Sequence, residues 1–356
     1  MDGAQKDDSL SLERSTQSTH ISSIKCTNRI VVRKQLEKRA MAMNATNDRS
    51  TPFQMVALDL DGTLLRSNHQ LSDEQATYLR NLYTSGFKIC IATGRAAPSV
   101  YDIVKNLALP DPTPVVCSNG ARGFLLSYSD RRKNQNELFY NPLSREAVIK
   151  TIELSNRLGY FVQYYIGDGI YANPITESHC RMIKEYEILT DSTIEIVDDN
   201  FDRFLAEQED DKLPSKLLIR CEKEEFATCH PSFVELLCSA SHHDIGTTNQ
   251  LAHIVAAFNK DLDWFLEILH PDVNKGKGLR NMCEKLNISM NDVIAIGDGT
   301  NDIEFLQMSG LGIAMNNAHE SLKEVASYTM EWTNDENGVM KTLEDLKLKG
   351  KLYCND

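Results

Sequence analysis

Five short apolar runs along the chain each stop abruptly at a polar or glycine-containing turn. They are Met55–Leu58 before Asp59, Phe87–Ala92 before Thr93, Val115–Cys117 before Ser118-Asn119-Gly120, Val293–Ile296 before Gly297-Asp298, and Leu311–Met315 before Asn316-Asn317. Runs that are apolar throughout, rather than at alternate positions, suit strands covered on both faces, as in a parallel sheet. Helical periodicity fills the intervals. Ser72 is placed to N-cap a helix reaching about Ser85, with Gln75 at the capping-box position and Gly86 as its stop. Ala97–Leu107, Gly278–Leu286, Thr300–Met308 and Glu320–Ser327 read as further helices. This alternation predicts an α/β fold built on an open, doubly wound, largely parallel sheet.

The region from Arg122 to Phe265 has a different pattern. Hairpin-like stretches (Gly123–Tyr128 with Glu137–Tyr140, and Tyr160–Tyr165 with Gly169–Ala172) are mixed with helices at Ser144–Leu158 and Glu177–Ile188. A strand at Lys216–Cys221 and a helix within Glu225–Ser239 follow. The expected organisation is a discontinuous core, residues 53–121 and 266–346, interrupted after its third strand by an α+β domain, residues 122–265. Residues 1–52 and 347–356 are expected to be tails. The first is rich in Ser, Thr, Asn and charge, a composition that buries too little apolar area to offset ordering entropy. Lys25–Met43 alternates basic and apolar residues, as an organelle-targeting segment does, but Asp2, Asp7, Asp8 and Glu13 are unlike one. Residues 1–25 lack an apolar secretory core, and a cytoplasmic location is the expectation.

Composition narrows the function classes. The 356 residues are 41% hydrophobic and 25% charged, which is ordinary for a globular protein. No apolar run approaches the ~18 residues of a membrane span. A net charge of −13 argues against a surface made for nucleic-acid phosphates or anionic lipid. Residues 1–51 hold nine Lys/Arg against six Asp/Glu, so the remainder carries about −16. The nine cysteines form no C-x-x-C pair, and Cys90 and Cys117 lie inside apolar runs. Buried free thiols in a reducing compartment explain them better than a disulfide framework or a zinc site.

The chemistry gathers where the apolar runs end. Asp59-Leu60-Asp61-Gly62-Thr63-Leu64 closes the first strand. Its carboxylates therefore emerge at the carboxyl edge of the sheet, where open α/β sheets bind ligands. Two carboxylates held close repel, so the pair favours a shared proton or a divalent cation, and oxygen ligands point to Mg²⁺. A carboxylate is also able to attack phosphorus and form an acyl phosphate. Thr93-Gly94-Arg95 closes the second strand, offering a hydroxyl and backbone N–H groups as a phosphate cradle. Lys275, just ahead of the helix expected at Gly278–Leu286, is able to neutralise a phosphate and an attacking carboxylate. Gly297-Asp298-Gly299-Thr300-Asn301-Asp302 closes the fourth strand, with Asp298 and Asp302 as candidate Mg²⁺ ligands. Together these residues make a set suited to metal-assisted phosphoryl transfer. No P-loop signature is present.

These four motifs, in this order, resemble those of the haloacid dehalogenase superfamily, and within it the Cof-type (type II B) phosphatases. Asp59-Leu60-Asp61-Gly62-Thr63-Leu64, Thr93-Gly94-Arg95, Asn274-Lys275-Gly276 and Gly297-Asp298-Gly299-Thr300-Asn301-Asp302 match the family's motifs one to four. Ser118-Asn119-Gly120-Ala121 and Ala314-Met315-Asn316-Asn317-Ala318 resemble the subgroup's flanking segments. The resemblance spans about residues 54–346 and implies a Rossmann-like core with an inserted type-II cap. It implies that Asp59 is the nucleophile and a metal ligand. Asp61 would protonate the leaving alkoxide and then activate water, its backbone carbonyl ligating Mg²⁺. Thr93, Gly94 and Lys275 would bind the phosphoryl oxygens with Asn301 nearby, and Asp298 would ligate the metal supported by Asp302. Arg95 and Asn119 are candidate substrate contacts. The implied partner is a small phosphorylated metabolite, such as a sugar phosphate or a flavin- or cofactor-related phosphate. A phosphosugar mutase and a non-turnover phospho-accepting switch are the alternatives, and Asp61, as an acid/base, speaks against the switch. The chain departs from a compact bacterial relative at its N-terminal tail, at Asp130–Asn136 and at the acidic segment Asp199–Lys212.

Lesser signals have simpler readings. His242-His243-Asp244 reads as a solvated loop rather than a metal site, and Gly167-Asp168-Gly169 as a hairpin turn. Asn44-Ala45-Thr46 and Asn287-Ile288-Ser289 fit the glycosylation triplet by chance. Tyr164, Tyr165 and Tyr171 are expected to pack the small sheet, with lining of a substrate face as the alternative.

Overall fold

The computed structural model describes residues 51–354, apart from 110–111, 128–135, 191, 198–204, 206–207, 239–249 and 260–262. Nearly all of the N-terminal tail, His242-His243-Asp244, Asn44-Ala45-Thr46 and most of the two charged insertions lie outside the described residues.

In chain order the strands are β1 (Met55–Leu58), β2 (Lys88–Ala92), β3 (Thr113–Cys117), β4 (Arg122–Leu126), β5 (Asn136–Tyr140), β6 (Val162–Ile166), β7 (Gly169–Ala172), β8 (Ile194–Ile196), β9 (Lys216–Cys221), β10 (His253–Asn259), β11 (Asp263–Leu269), β12 (Val293–Gly297), β13 (Leu311–Ala314) and β14 (Tyr328–Thr329). The α-helices are α1 (Asp73–Thr84), α2 (Tyr101–Leu107), α3 (Arg145–Leu158), α4 (Glu177–Thr190), α5 (Phe226–Cys238), α6 (Lys275–Leu286), α7 (Ile303–Met308), α8 (Glu320–Val325) and α9 (Gly338–Leu348). The five continuous apolar runs all become strands of one eight-stranded sheet, ordered β14-β13-β12-β1-β2-β3-β4-β5. From β14 to β3 its neighbours are parallel. β1, β3 and β12 are buried along their whole length, as strands covered on both faces must be.

Helix α1 starts where its cap residue predicts. The Ser72 hydroxyl accepts the Gln75 N–H at 3.1 Å. The Gln75 side chain does not close the capping box; its amide donates to the Leu64 carbonyl at 2.7 Å and ties the helix to the loop after β1.

Three boundaries differ from expectation. The β4–β5 hairpin, expected in the inserted domain, extends the larger sheet: β4 pairs antiparallel with β3, and β5 with β4. Left-handed backbone at Ser118, Asn119 and Gly120 turns the chain straight back onto the free edge of β3. The larger sheet is therefore interrupted after its fifth strand, and the insertion starts beyond Tyr140. At the other end β11 runs past Phe265 to Leu269 and pairs with β9 and β10. Residues 347–354, expected to belong to a tail, are not loose. α9 continues to Leu348, Leu352 is buried and bridges Phe53, and the Phe53 N–H donates to the Lys351 carbonyl at 2.7 Å.

The inserted region forms a six-stranded sheet, ordered β10-β11-β9-β6-β7-β8. One face packs under α3 and α5 through Val148, Leu154, Phe233 and Leu237. The other carries Tyr165, Leu218 and Phe265 with Ile183 of α4. Tyr164 and Tyr165 are buried in these two opposite cores and Tyr171 packs partly against the first, so all three serve packing. Each fully buried Leu, Ile or Phe in such cores contributes about 1.5–3 kcal/mol relative to exposure. The eight described cysteines are free, and Cys90, Cys117, Cys221, Cys229 and Cys283 are buried. Asn287 caps the end of α6 in a left-handed conformation. Among the described residues no helix is long and apolar enough to cross a membrane.

Candidate active site

Chain order reverses between β1 and β12, which pair side by side. Such a switch point leaves a crevice at the carboxyl ends of the strands. Asp59 follows β1 directly, its N–H held by the Ile296 carbonyl at 3.1 Å. Asp298 follows β12. Gly62 turns the chain with φ +73°, and a Cβ there would stand 2.1 Å from Asp298 Oδ2. Glycine is thus required twice at this position, for the turn and for the approach of Asp298. The Thr63 hydroxyl donates to Asp298 Oδ1 at 3.2 Å. From the segment after β13, the Asn317 amide donates to the Gly62 carbonyl at 2.8 Å and the His319 N–H to the Asp298 carbonyl at 2.9 Å.

Lys275 does not precede its helix, as expected, but opens it. The Asn274 side chain accepts the Lys277 N–H at 2.7 Å and so starts α6 three residues earlier than the sequence pattern suggested. This puts Lys275 inside the protein, its side chain 0% exposed. Its ammonium donates to Asp59 Oδ1 at 2.8 Å and to Asp302 Oδ1 at 2.5 Å. The other Asp302 oxygen accepts the Asp298 and Gly299 N–H groups, both at 3.0 Å. Carboxylate oxygens of Asp59, Asp298 and Asp302 lie within 4.8 Å of one another.

Three carboxylates, those of Asp59 and Asp302 buried and that of Asp298 half-buried, stand against one ammonium and leave two negative charges. Burial, opposed by Lys275 and reinforced by Asp302 and Asp298, drives the Asp59 carboxyl well above its ordinary range. Burial and the Asp302 charge push Asp298 up to about 7. Burial works against the Lys275 ammonium, yet Asp302 and Asp59 hold its pKa above the usual lysine value. Such a cluster keeps a proton unless a cation replaces it, and its all-oxygen donor set fits a hard divalent cation such as Mg²⁺. The Asp61 carboxylate stands outside the cluster; the metal contact implied for Asp61 runs through its backbone carbonyl.

Asp61 is held from the other side. Arg95 grips it with two hydrogen bonds, Nε to Oδ2 at 2.7 Å and Nη2 to Oδ1 at 2.6 Å, and His69 Nδ1 lies 3.1 Å from Oδ1. Desolvation pushes this carboxyl up, but the Arg95 hydrogen bonds and charge, with His69, outweigh it and keep Asp61 well below the usual carboxylate range. Thr93 is buried, and its hydroxyl accepts the Arg95 N–H at 3.1 Å, bending the loop into a cradle. Asn119 has φ +52° and docks its N–H on the Thr93 carbonyl at 3.1 Å. Its side-chain oxygen accepts the Asn301 amide at 2.8 Å. The structure thus brings Thr93, Gly94, Asn119 and Asn301 together beside the Asp59–Lys275 cluster, while Arg95 points onto Asp61.

Several participants carried no sequence signal. His69 lies in an ordinary polar loop. Lys216 and Glu267 reach the site from the smaller sheet, where Lys216 bonds the Gly94 carbonyl at 3.2 Å and Glu267 bonds the Asn119 amide at 2.5 Å. The Gly167-Asp168-Gly169 turn is a hairpin, as expected, but it also docks on the larger sheet: Arg122 bonds the Gly167 carbonyl and Asp168, and the Tyr101 hydroxyl bonds Asp168 at 3.1 Å. Between the two sheets lies a cavity of about 290 Å³ with Asn119, Lys275 and Asn301 on one wall and His230, His253 and Val255 on the other.

The haloacid dehalogenase-like hydrolase family matches residues 56–343. The chain belongs to this family and, as its motifs predict, falls with the Cof-type phosphatases. Phosphatase YwpJ of Bacillus subtilis is 27% identical over 83% of this chain and 100% of that protein. YitU of the same organism, a 5-amino-6-(5-phospho-D-ribitylamino)uracil phosphatase, is 25% identical over 82% of this chain and 96% of its own length. The chloroplastic endoribonuclease YBEY of Arabidopsis thaliana is 27% identical over 81% of this chain, which spans 45% of that longer protein. The crystal structure of a haloacid dehalogenase-like hydrolase from Bacteroides thetaiotaomicron superposes with a TM-score of 0.65 at 23% identity, covering 83% of this chain and 99% of that one. That likeness shows the fold.

Proposed function

We propose that this chain is a Mg²⁺-dependent phosphatase that hydrolyses a small phosphorylated metabolite through an aspartyl phosphate at Asp59. The observation that carries the reading is the buried Asp59–Lys275–Asp302 bridge at the switch point, with Asp298 alongside. An Asp59 carboxylate oxygen attacks phosphorus while Lys275 holds the other oxygen and the incoming phosphoryl group. Thr93, the Gly94 N–H and Asn301 cradle the transferred oxygens. Asp61 gives its proton to the departing alkoxide, then takes one from the water that attacks phosphorus, which frees Asp59 and inorganic phosphate. Asp61 gripped by Arg95 is ionised, the form that activates water; donation to the leaving group requires Arg95 to turn from Asp61 to the substrate. Held by Asp59, Asp298 and the Asp61 backbone carbonyl, with Asp302 in support, Mg²⁺ would offset the negative charge of nucleophile and phosphoryl oxygens.

The cavity, close to the lower end of ligand-pocket volumes at about 300 Å³, has room for a group of sugar or ribityl size beside Asn119 and Asn301, with Asp59 and Asp61 outside its lining. Its mixed wall of imidazole, amide and aliphatic groups suits a polyol or a flavin precursor. The relative named for ribitylaminouracil phosphate supports the same class. Phosphate release from a panel of sugar, nucleotide and flavin phosphates tests the reading, with wild type compared against EDTA-treated wild type and Asp59→Asn. Turnover that needs Mg²⁺ and vanishes in Asp59→Asn is the expected result. Phosphoryl transfer between sugar hydroxyls without inorganic phosphate would point to the mutase instead.

A further inference from the structure

The smaller sheet sends one ion pair across to the larger. Lys216 opens β9 and Glu267 lies on the adjacent β11. Their side chains meet at 2.9 Å and are only 2% and 13% exposed. The Tyr165 ring lies against the Lys216 ammonium, its centroid 4.5 Å away. Both partners also bond the phosphate-binding side of the larger sheet. Lys216 donates to the Gly94 carbonyl at 3.2 Å, and the second Glu267 oxygen accepts the Asn119 amide at 2.5 Å. Asn119 in turn accepts the amide of Asn301 at 2.8 Å. One cap-borne pair therefore reaches the Thr93-Gly94-Arg95 loop directly and Asn301 through a single intermediary.

A buried ion pair is a weak stabiliser, because desolvation offsets much of its attraction and apolar replacements often do as well. What it supplies is direction. Asn119 sits in left-handed backbone, a conformation that costs a non-glycine residue roughly 1–3 kcal/mol and persists when its surroundings over-determine it. Here the surroundings are the Thr93 carbonyl, Asn301 and Glu267. We propose that Lys216 and Glu267 are positioning residues: seated on the larger sheet, they set Gly94 and Asn301 in the geometry that holds the transferred phosphoryl group. Docking of the smaller sheet and completion of the phosphoryl site are then one event. The hydrogen bonds of the pair go to protein groups, so it acts on the phosphoryl site and not on the leaving group. This rests on the phosphatase reading above.

The test uses the full chain as K216M, E267Q and the double variant K216M/E267Q. Initial rates are measured on p-nitrophenyl phosphate and on a polyol phosphate, with orthovanadate as a probe of the phosphoryl site. Each variant is expected to lose kcat by about 10–100-fold, the scale of a misplacement of about 1 Å. The loss is the same on both esters, with KM changed less and vanadate inhibition weakened in parallel. Either single variant leaves one buried charge without its partner and lowers the melting temperature. The double variant removes both charges, so its melting temperature recovers while its kcat stays low. A double variant with wild-type kcat and vanadate affinity would overturn the proposal, leaving the pair a packing element. A loss confined to the polyol ester would also overturn it, assigning the pair to the leaving group. Wild-type protein inert on every ester and indifferent to vanadate would sink the phosphatase reading itself, which is a separate failure.

Discussion

The larger and smaller sheets both bury lysine against carboxylate, but with opposite balance. At the edge of the larger sheet Lys275 faces Asp59, Asp298 and Asp302, so the cluster keeps an unmet negative charge. On the smaller sheet Lys216 pairs with Glu267, and the pair is neutral. An unbalanced cluster calls for a ligand and changes protonation when it has none. A balanced pair holds geometry. On the proposed reading, the difference separates the groups that do the chemistry from those that hold them in place, although the two lie within one network through Gly94 and Asn119.

The contrast is broken or sharpened most by removing charges one sheet at a time. Asp59→Asn is expected to cut phosphate release by at least about 10⁴-fold, far beyond the loss from K216M, while Lys275 keeps Asp302 as a partner and the protein stays folded. Asp61→Asn is expected to cost about 10²–10⁴-fold in kcat, with less effect on an ester whose leaving group needs no proton, measured by comparing p-nitrophenyl with alkyl phosphates.

Acidity provides the next distinction. Asp298 is pushed up to about 7, and Asp59 is raised too, so the folded state binds more protons than the unfolded one from about pH 4 to 7. Stability of the EDTA-treated protein therefore falls as pH rises through that window. Its melting temperature is expected to be higher at pH 5 than at pH 8; Mg²⁺ raises the pH 8 value, and Asp298→Asn flattens the slope. Cation affinity follows the opposite sign, weakening as pH falls below about 7 because protons compete for Asp298. The smallest effect is expected at the hairpin turn that docks β6–β7. Asp168 there is half exposed, and such pairs contribute up to about 1 kcal/mol. Asp168→Asn is accordingly expected to shift KM by about five-fold at most, with kcat kept.

How far each region was legible in the amino-acid sequence follows the same physical divide. Asp59, Thr93, Lys275 and Asp298 sit beside strand ends or a helix start, where turn residues and apolar runs mark the place locally. Lys216 and Glu267 meet only because β9 and β11 pair, 51 residues apart, and each sits in a strand with no turn or glycine to flag it. His69 and Asp168 are loop residues whose partners lie on other elements, so the sequence marked the turn around Asp168 but not what either residue touches. The misplaced β4–β5 hairpin has the same origin. Its period showed two antiparallel strands, but which sheet edge they joined was set by the left-handed turn at Ser118–Gly120 and by the free edge of β3. Lys275 was found as a residue and misplaced as an element, because the Asn274 cap adds Lys275–Lys277 to the helix, a segment whose Gly276 helix propensity argues against.

The central claim is that Asp59 carries the phosphoryl group. It is tested most directly by acid-quenching the enzyme during turnover, reducing any acyl phosphate with borohydride, and locating the reduced residue by mass spectrometry. Reduction to homoserine at position 59, dependent on substrate and absent from Asp59→Asn, is the expected result. Steady phosphate release with position 59 unmodified, or turnover retained in Asp59→Asn, would contradict it.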